Sequence, residues 1–309
     1  MGYDYDNYLE IYNTVHNGLE VHGIDIGFSF LCVVMPNFRL LLLFMAIVTL
    51  LPLYWVLKEK SDYVFLSLLF FFTTLFLPMV MGQMRQGVAV FMMLYAYYRW
   101  KGTKVFWLLL VMSAAIHISA LIAVLFLLPA KKLFPIYVYI VLVGCAFLFG
   151  RILAPVFLPF MNAIGIMEDT NVMYRVSFYS ASETAAGLSL DFNTAVFIRC
   201  FIFILGYIVL RKQKDGDASD LNLFFFSIII YLSFAFLPQL GGRGSLYFSV
   251  LDMILIPSIL KTYKGGMRTI LIAVFIILSG LRLNHFFSDE NNLASYVPYK
   301  IEIGSEDAL

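Results

Sequence analysis

Arg85 and Gln86 open the run MRQGVAVFMMLYAYYRW, residues 84–100, where a guanidinium enters sequence apolar enough for a membrane interior and no acid lies beside it in the chain. Arginine keeps its proton at every accessible pH, so in hydrocarbon it requires an anion or must snorkel to the headgroups. Arg243, in GGRGSLYF, repeats the arrangement: glycines, a lone arginine, then an apolar run. Both contexts predict a helix start following the arginine, whose free N–H groups and positive dipole end reinforce the guanidinium. Two such arginines on one side of a membrane would clamp the phosphate oxygens of a lipid. His117, in AAIHISALI, is the third polar element. Its ring could donate to an anion or accept a proton; the alternative is a histidine bonded to a neighbouring backbone carbonyl.

A different chemistry is spelled by the opening segment GYDYDNYLEIYNTVHNGLEVHGID, where Asp4, Asp6, Glu10, Glu20 and Asp25 alternate with Tyr3, Tyr5, Tyr8 and Tyr12. Aromatic faces and carboxylates suit a polyhydroxylated sugar, and a carboxylate can act as general base toward a hydroxyl. Asp4 is the candidate base, with Asp6, Glu20 and Tyr8, together with Tyr247 of the second arginine motif, as candidate sugar contacts. Asp4-Tyr5-Asp6 also fits a short metal-diphosphate motif, and a solvated loop accounts for the same residues. A polar run from Glu168 to Asp191 contains Arg175 and has neither helical nor strand periodicity. It reads equally as a lid over the arginines or as an undecorated exterior loop. No phosphate-binding glycine loop, dinucleotide fingerprint or zinc-helix motif occurs, so ATP-driven transport and zinc hydrolysis have no support.

The elements that position these residues follow from composition. The chain has 309 residues, of which 61% are hydrophobic, 17% aromatic and 13% charged, against roughly 25% charged in a soluble domain. An all-α, polytopic integral membrane protein is expected, forming a single transmembrane domain over 1–309. The net charge of +1 calls for no nucleic acid. Cys32, Cys145 and Cys200 lie scattered in or beside apolar runs, without metal-ligand spacing.

Apolar runs bounded by charge, glycine or proline predict eight spans: 39–57, 63–80, 86–98, 135–153, 194–210, 222–238, 245–260 and 269–283. The segment Val105 to Ala130 would run about 39 Å as one helix, against a hydrocarbon core of about 30 Å. The basic clusters at Lys58/Lys60, Arg99/Lys101/Lys104, Lys131/Lys132, Arg211/Lys212/Lys214 and Lys261/Lys264/Arg268 are all cytoplasmic only if that segment enters and leaves on one side. A re-entrant helical hairpin turning near His117, or two thin tilted helices, is therefore expected. That parity sends residues 1–38, the Gly82 to Arg85 turn, the His117 apex, the loop 155–193, the Gly241-Gly242-Arg243 turn and the C-terminal tail to the outer face. Arg85, Arg175, Arg243 and Arg282 on that face oppose the positive-inside bias and call for a functional reason.

GYDYDNY (2–8), MRQGVAVFMMLYAYY (84–98), AAIHISALI (114–122), GRGSLYFSVLDMILIP (242–257) and the terminal YVPY (296–299), in this order and hydropathic setting, resemble the EpsG-type membrane proteins of bacterial exopolysaccharide clusters. These are similar in role to Wzy polysaccharide polymerases. The resemblance runs nearly end to end and maps Arg85, Gln86, His117 and Arg243 onto the family's recurrent polar positions. In such proteins a span usually precedes the GxDYxxY-like segment, whereas here that segment starts at Met1; either the true start lies upstream or that anchor has been lost, in which case the acidic residues 1–38 are expected to cross ahead of the span at 39–57.

The resemblance implies a glycosyltransferase in the bacterial cytoplasmic membrane, its active site facing outward. It would join undecaprenyl-diphosphate-linked repeat units into exopolysaccharide, capsule or O-antigen. Arg85 and Arg243 would hold the departing diphosphate, Arg175 would be a lid contact, and His117 or Asp4 would be the base. No cofactor and no metal is called for, and a separate chain-length regulator is a candidate partner beside the lipid bilayer. The alternatives are a lipid-linked oligosaccharide flippase, whose cations should line a path through the bilayer, a membrane O-acyltransferase of sugars, and a non-catalytic subunit of an export complex.

Overall fold

Unbroken aliphatic and aromatic runs form helices where the surroundings are lipid, because only there does each backbone N–H and C=O find its partner within the segment. The computed structural model describes residues 2–128, 130–163, 194–213 and 216–297, and every regular element among them is helical. In chain order these are α1 (Tyr5–His16), α2 (Ile26–Val34), α3 (Phe38–Lys60), and α4 (Val64–Phe71), which continues as a π-helix (Phe72–Gly82). Next come α5 (Met84–Trp100), α6 (Lys104–Ile116), a 3-10 helix (Ile118–Leu127) and α7 (Ile136–Ala163). The series ends with α8 (Thr194–Arg211), α9 (Ser219–Ser233), α10 (Pro238–Ser249), α11 (Asp252–Thr262), α12 (Gly265–Phe287) and α13 (Glu290–Tyr296).

Among the described residues, four helical stretches are long and apolar enough to cross a membrane: Phe38–Lys60, Val64–Gly82, Ile136–Leu153 and Gly265–Phe287. The pair Leu240–Ser249 and Asp252–Thr262, bent by 43°, makes a fifth if counted as one span. The protein is thus a helical, multi-pass membrane protein, and among its described residues the count by length and composition is four or five where eight were expected. The physical reason is clearest in α5, only 17 residues long and buried at every position from Gln86 to Leu94. Such a helix is solvated by other helices and needs neither the length nor the outward apolar face of a lipid-facing span. On the lipid-facing spans the opposite holds. Leu43, Ile47 and Leu51 form an exposed stripe on α3, and Ile270, Ile277 and Leu281 are exposed on α12, a pattern that is stable in lipid and costly in water.

The chain divides into two compact units, Met1–Val124 with Ile256–Leu309, and Leu125–Leu255. The first unit is built around an amphipathic α1, whose Tyr8, Ile11, Tyr12 and Val15 recur at helical spacing and pack with Phe28 and Cys32 of α2, Phe38, Leu41 and Met45 of α3, and Met84, Val88 and Met92 of α5. Polar links fix the angle between α1 and α2: the Tyr12 hydroxyl donates to the Met35 carbonyl at 2.8 Å, and His16 Nδ1 meets the Cys32 carbonyl at 2.9 Å. Asn37 caps α3 by accepting from the Leu40 amide at 3.0 Å.

In the second unit α7, α8 and α9 meet around an aromatic cluster of Tyr139, Phe203, Tyr207 and Phe225. Asn222 ties this cluster to the preceding loop, accepting from the Tyr139 hydroxyl and donating to the Ala130 carbonyl at 2.6 Å. Arg199, buried on α8, is satisfied by the Ser227 carbonyl of α9 at 3.0 Å and the face of Tyr231, which joins the two helices.

The expected outer loop begins later than residue 155, because α7 runs on to Ala163; the rest of it, including Arg175, lies outside the described residues.

Candidate functional site

The break in the 105–130 segment falls where the sequence placed it. α6 ends at Ile116, His117 is extended with φ −154° and ψ 112°, and the next element starts at Ile118. That element is a 3-10 helix, not an α-helical arm, so its 10 residues reach about 20 Å at about 2.0 Å per residue. The imidazole at the break is mostly buried.

Arg85 is the second residue of α5. A cation in the first turn of a helix opposes the dipole, so its position requires compensation from elsewhere. The compensation is Asp25. Its Oδ2 lies 3.3 Å from Arg85 Nη1 and 3.7 Å from His117 Nδ1, with side-chain exposures of 7%, 19% and 14% for Asp25, Arg85 and His117. The Arg85 guanidinium also lies over two rings, 5.3 Å from the centroid of Phe28 and 5.7 Å from that of Tyr8, and these rings pack edge to face. Both rings lie within cation–π distance of the guanidinium, and the carboxylate meets its Nη1. Arg85 is therefore an ion-paired arginine: the neutralising acid that is absent from its sequence neighbourhood comes from 60 residues upstream.

Local geometry explains how Asp25 arrives there. Gly23, at φ 79°, turns the chain toward α2. Asp25 occupies the cap position of α2 without a side-chain capping bond, and its backbone carbonyl accepts the Phe28 and Ser29 amides instead. Gly27 then lets α2 approach α6 so closely that a Cβ there would lie 2.8 Å from the Ala115 backbone. A cap residue released from capping, on a helix pressed against α6, puts its carboxylate beside the His117 ring.

The other sequence motifs of this unit converge on the start of α5. Gly82 faces Tyr3, and a Cβ on Gly2 would overlap the Met81 carbonyl. The Tyr296 hydroxyl donates to the Leu77 carbonyl at 2.8 Å, and its ring meets Tyr3 edge to face. Burial, with the Asp4 charge beside it, raises the Tyr3 phenol above its ordinary value, and burial pushes Tyr296 up to about 12. GYDYDNY, MGQMRQG and the first tyrosine of YVPY thus pack as one cap around the π-helix and the turn before Arg85. Arg282, set in an apolar span, reaches the same π-helix and donates to Thr74 at 3.1 Å.

The remaining candidates are placed differently. Asp4 precedes α1, half-buried, whereas Asp6 and Glu20 are exposed. Tyr8 is buried beneath Arg85, where it supports the guanidinium, and Gln86 is buried in α5. In the second unit, Arg243 does not sit in a turn before a helix. α10 begins at Pro238, and Gly241, Gly242 and Arg243 are all helical, the helix starting early because proline suits its first turn. Gly241 instead permits close packing against the Phe234 carbonyl. Arg243 is half-buried and Tyr247 fully buried.

In the sequence Asp25 is one acid among several in the first segment, with no role of its own. The available signal was its setting in GIDIG, a lone acid between isoleucines just ahead of the apolar run IGFSFLCVV. Asp252, buried in the first turn of α11, also went unassigned.

Arg85, His117 and Asp25 together form a partly enclosed polar site with one cation, one carboxylate and one ring able to exchange a proton. Such a site can bind an anionic oxygen and move a proton beside it. A family model described as the EpsG family matches residues 1–301. No curated protein and no solved structure matches the chain significantly.

Proposed function

The chain belongs to the EpsG family, and from that premise we propose that it is a polysaccharide polymerase acting on undecaprenyl-diphosphate-linked oligosaccharide at the outer face of the bacterial cytoplasmic membrane. The observation that carries the reading is that Arg85, at the start of α5, and His117, at the break after α6, both lie within ion-pair distance of one Asp25 oxygen. In glycosyl transfer, negative charge grows on the diphosphate as the anomeric C–O bond breaks. A guanidinium whose contact strengthens at that moment lowers the barrier. The proton released by the acceptor hydroxyl needs a nearby base, and His117 beside the cation supplies one. Both groups are in one place, as a transferase requires. A flippase would need cations distributed along a path.

The protein should be purified and incubated with lipid-linked repeat units, with and without a chelator, and the products sized. Joined units with loss of diphosphate-bearing donor support the reading, and survival of activity in chelator assigns the chemistry to side chains. Movement of intact units across a bilayer without joining would replace it with transport. In cells, Arg85→Ala and His117→Ala should reduce the surface glycan to single repeat units, and Arg243→Ala in the same assay tests the second arginine of the sequence-derived clamp.

A further inference from the structure

Arg85 alone accounts for a carboxylate at the position of Asp25, but it does not account for the imidazole on the same oxygen. One guanidinium and one carboxylate already neutralise each other. His117 Nδ1 lies 3.7 Å from the oxygen that Arg85 approaches to 3.3 Å, within ion-pair range but beyond hydrogen-bond length, and adds nothing to that balance while the ring is neutral. It matters when the ring takes a proton, because an imidazolium beside Arg85 is repelled unless an anion lies between them. Asp25 is that anion. It is withdrawn from capping α2 and held toward α6 by the close approach at Gly27.

We propose that Asp25 is the positioning residue of an Asp25–His117 dyad, orienting the ring through Nδ1 so that Nε2 receives the proton of the acceptor hydroxyl. The proposal rests on the polymerase reading. In the step, the acceptor oxygen bonds to the anomeric carbon as the bond from that carbon to the diphosphate oxygen breaks. The bonding pair leaves with the diphosphate, and the hydroxyl proton passes to Nε2. The imidazolium so formed is stabilised by Asp25 of α2 and opposed by Arg85 of α5. Arg85 is drawn to the departing diphosphate at the same moment, which weakens the repulsion when the ring becomes charged.

The arrangement predicts opposite effects from its two neighbours. With the full chain in detergent and isotopically labelled histidine, the ring signal of His117 is identified among the four histidines by its loss in His117→Gln, and its protonation is followed by NMR. Asp25→Asn should weaken proton binding by about tenfold or more, Arg85→Gln should strengthen it, and Asp25→Glu should stay near the wild type; tenfold is one pH unit in the midpoint. In cells, Asp25→Asn should yield single repeat units when compared at matched membrane abundance, with longer chains partly restored in Asp25→Glu. A merely structural carboxylate would still move the midpoint by its charge, but it would shorten the chains only in proportion to lost abundance.

Unmoved midpoints, or wild-type chain lengths in Asp25→Asn, overturn the proposal. Should Asp25→Asn fail to accumulate, Arg85→Gln carries the titration, and an unmoved midpoint there is decisive. A wild-type protein that joins no lipid-linked units overturns the polymerase reading even if the midpoints shift. Unmoved midpoints in an active protein overturn the dyad alone.

Discussion

Arg85 illustrates how a charge is kept inside an apolar protein: a carboxylate at its Nη1, two aromatic rings within cation–π distance, and little exposure. Removing one member of such a pair leaves the other buried and uncompensated, which costs more than the pair itself contributes. Arg85→Ala should therefore destabilise by about 3 kcal/mol, and adding Asp25→Asn should recover much of that loss. A double-mutant cycle on thermal unfolding in detergent checks this, with an expected coupling of about 1 to 3 kcal/mol. Additive losses would mean that the 3.3 Å contact contributes little to the fold. Arg85→Lys keeps the charge but loses the planar fork and the ring stacking. Its glycan chains should be shorter than wild type and longer than those of Arg85→Ala.

At the level of elements, the site depends on close helix contacts that only glycine permits. Gly27→Ala would set a methyl 2.8 Å from the Ala115 backbone, forcing α2 away from α6. The expected cost is about 1 to 3 kcal/mol, together with loss of long glycan chains because Asp25 moves with α2. Gly87→Ala, at 2.7 Å from the Met79 carbonyl, should likewise disturb the packing of α5 on the π-helix. If Gly27→Ala kept full stability and chain length, the helix contact would not be what holds Asp25. The docking of the two ends of the chain has its own signature. Tyr3 and Tyr296 have phenols raised by burial, so the fold favours their neutral forms. This contribution is fully present below pH about 10, the ordinary tyrosine value, and is lost as pH rises through the folded values, about 12 for Tyr296. Ultraviolet titration should show late-ionising tyrosines that become fewer in Tyr3→Phe and Tyr296→Phe.

For the whole molecule, the distribution of lysine and arginine predicts which loops face the cytoplasm. A cysteine at Glu20, which is exposed, should react with a membrane-impermeant maleimide on intact cells. One at Lys101, beside Arg99 and Lys104, should react only after permeabilisation. The reverse pattern would put the Asp25 loop on the cytoplasmic side and remove the lipid-linked donor from its reach. Cys32 is buried while Cys145 is exposed, so labelling should be done in a background with Cys145 replaced.

Membrane character, helical class and family were legible in the chain, and Arg85 and His117 stood out in it, because hydropathy and rare charges are local properties that need no partner to be seen. The break at His117 was legible for the same reason: a polar side chain interrupts an apolar run. The number of lipid-facing spans was not, since α5 and a true span have the same composition and differ only in what surrounds them. Nor was the partner of Arg85. An ion pair between residues 60 positions apart leaves no trace in spacing, and Asp25 looks like one acid among several until Gly23 and Gly27 turn and press α2 into place. The same holds for Arg243, whose glycines imply a turn until Pro238 starts the helix upstream of them. Sequence alone determines which groups are too costly to bury without a reason; tertiary packing decides which group supplies that reason.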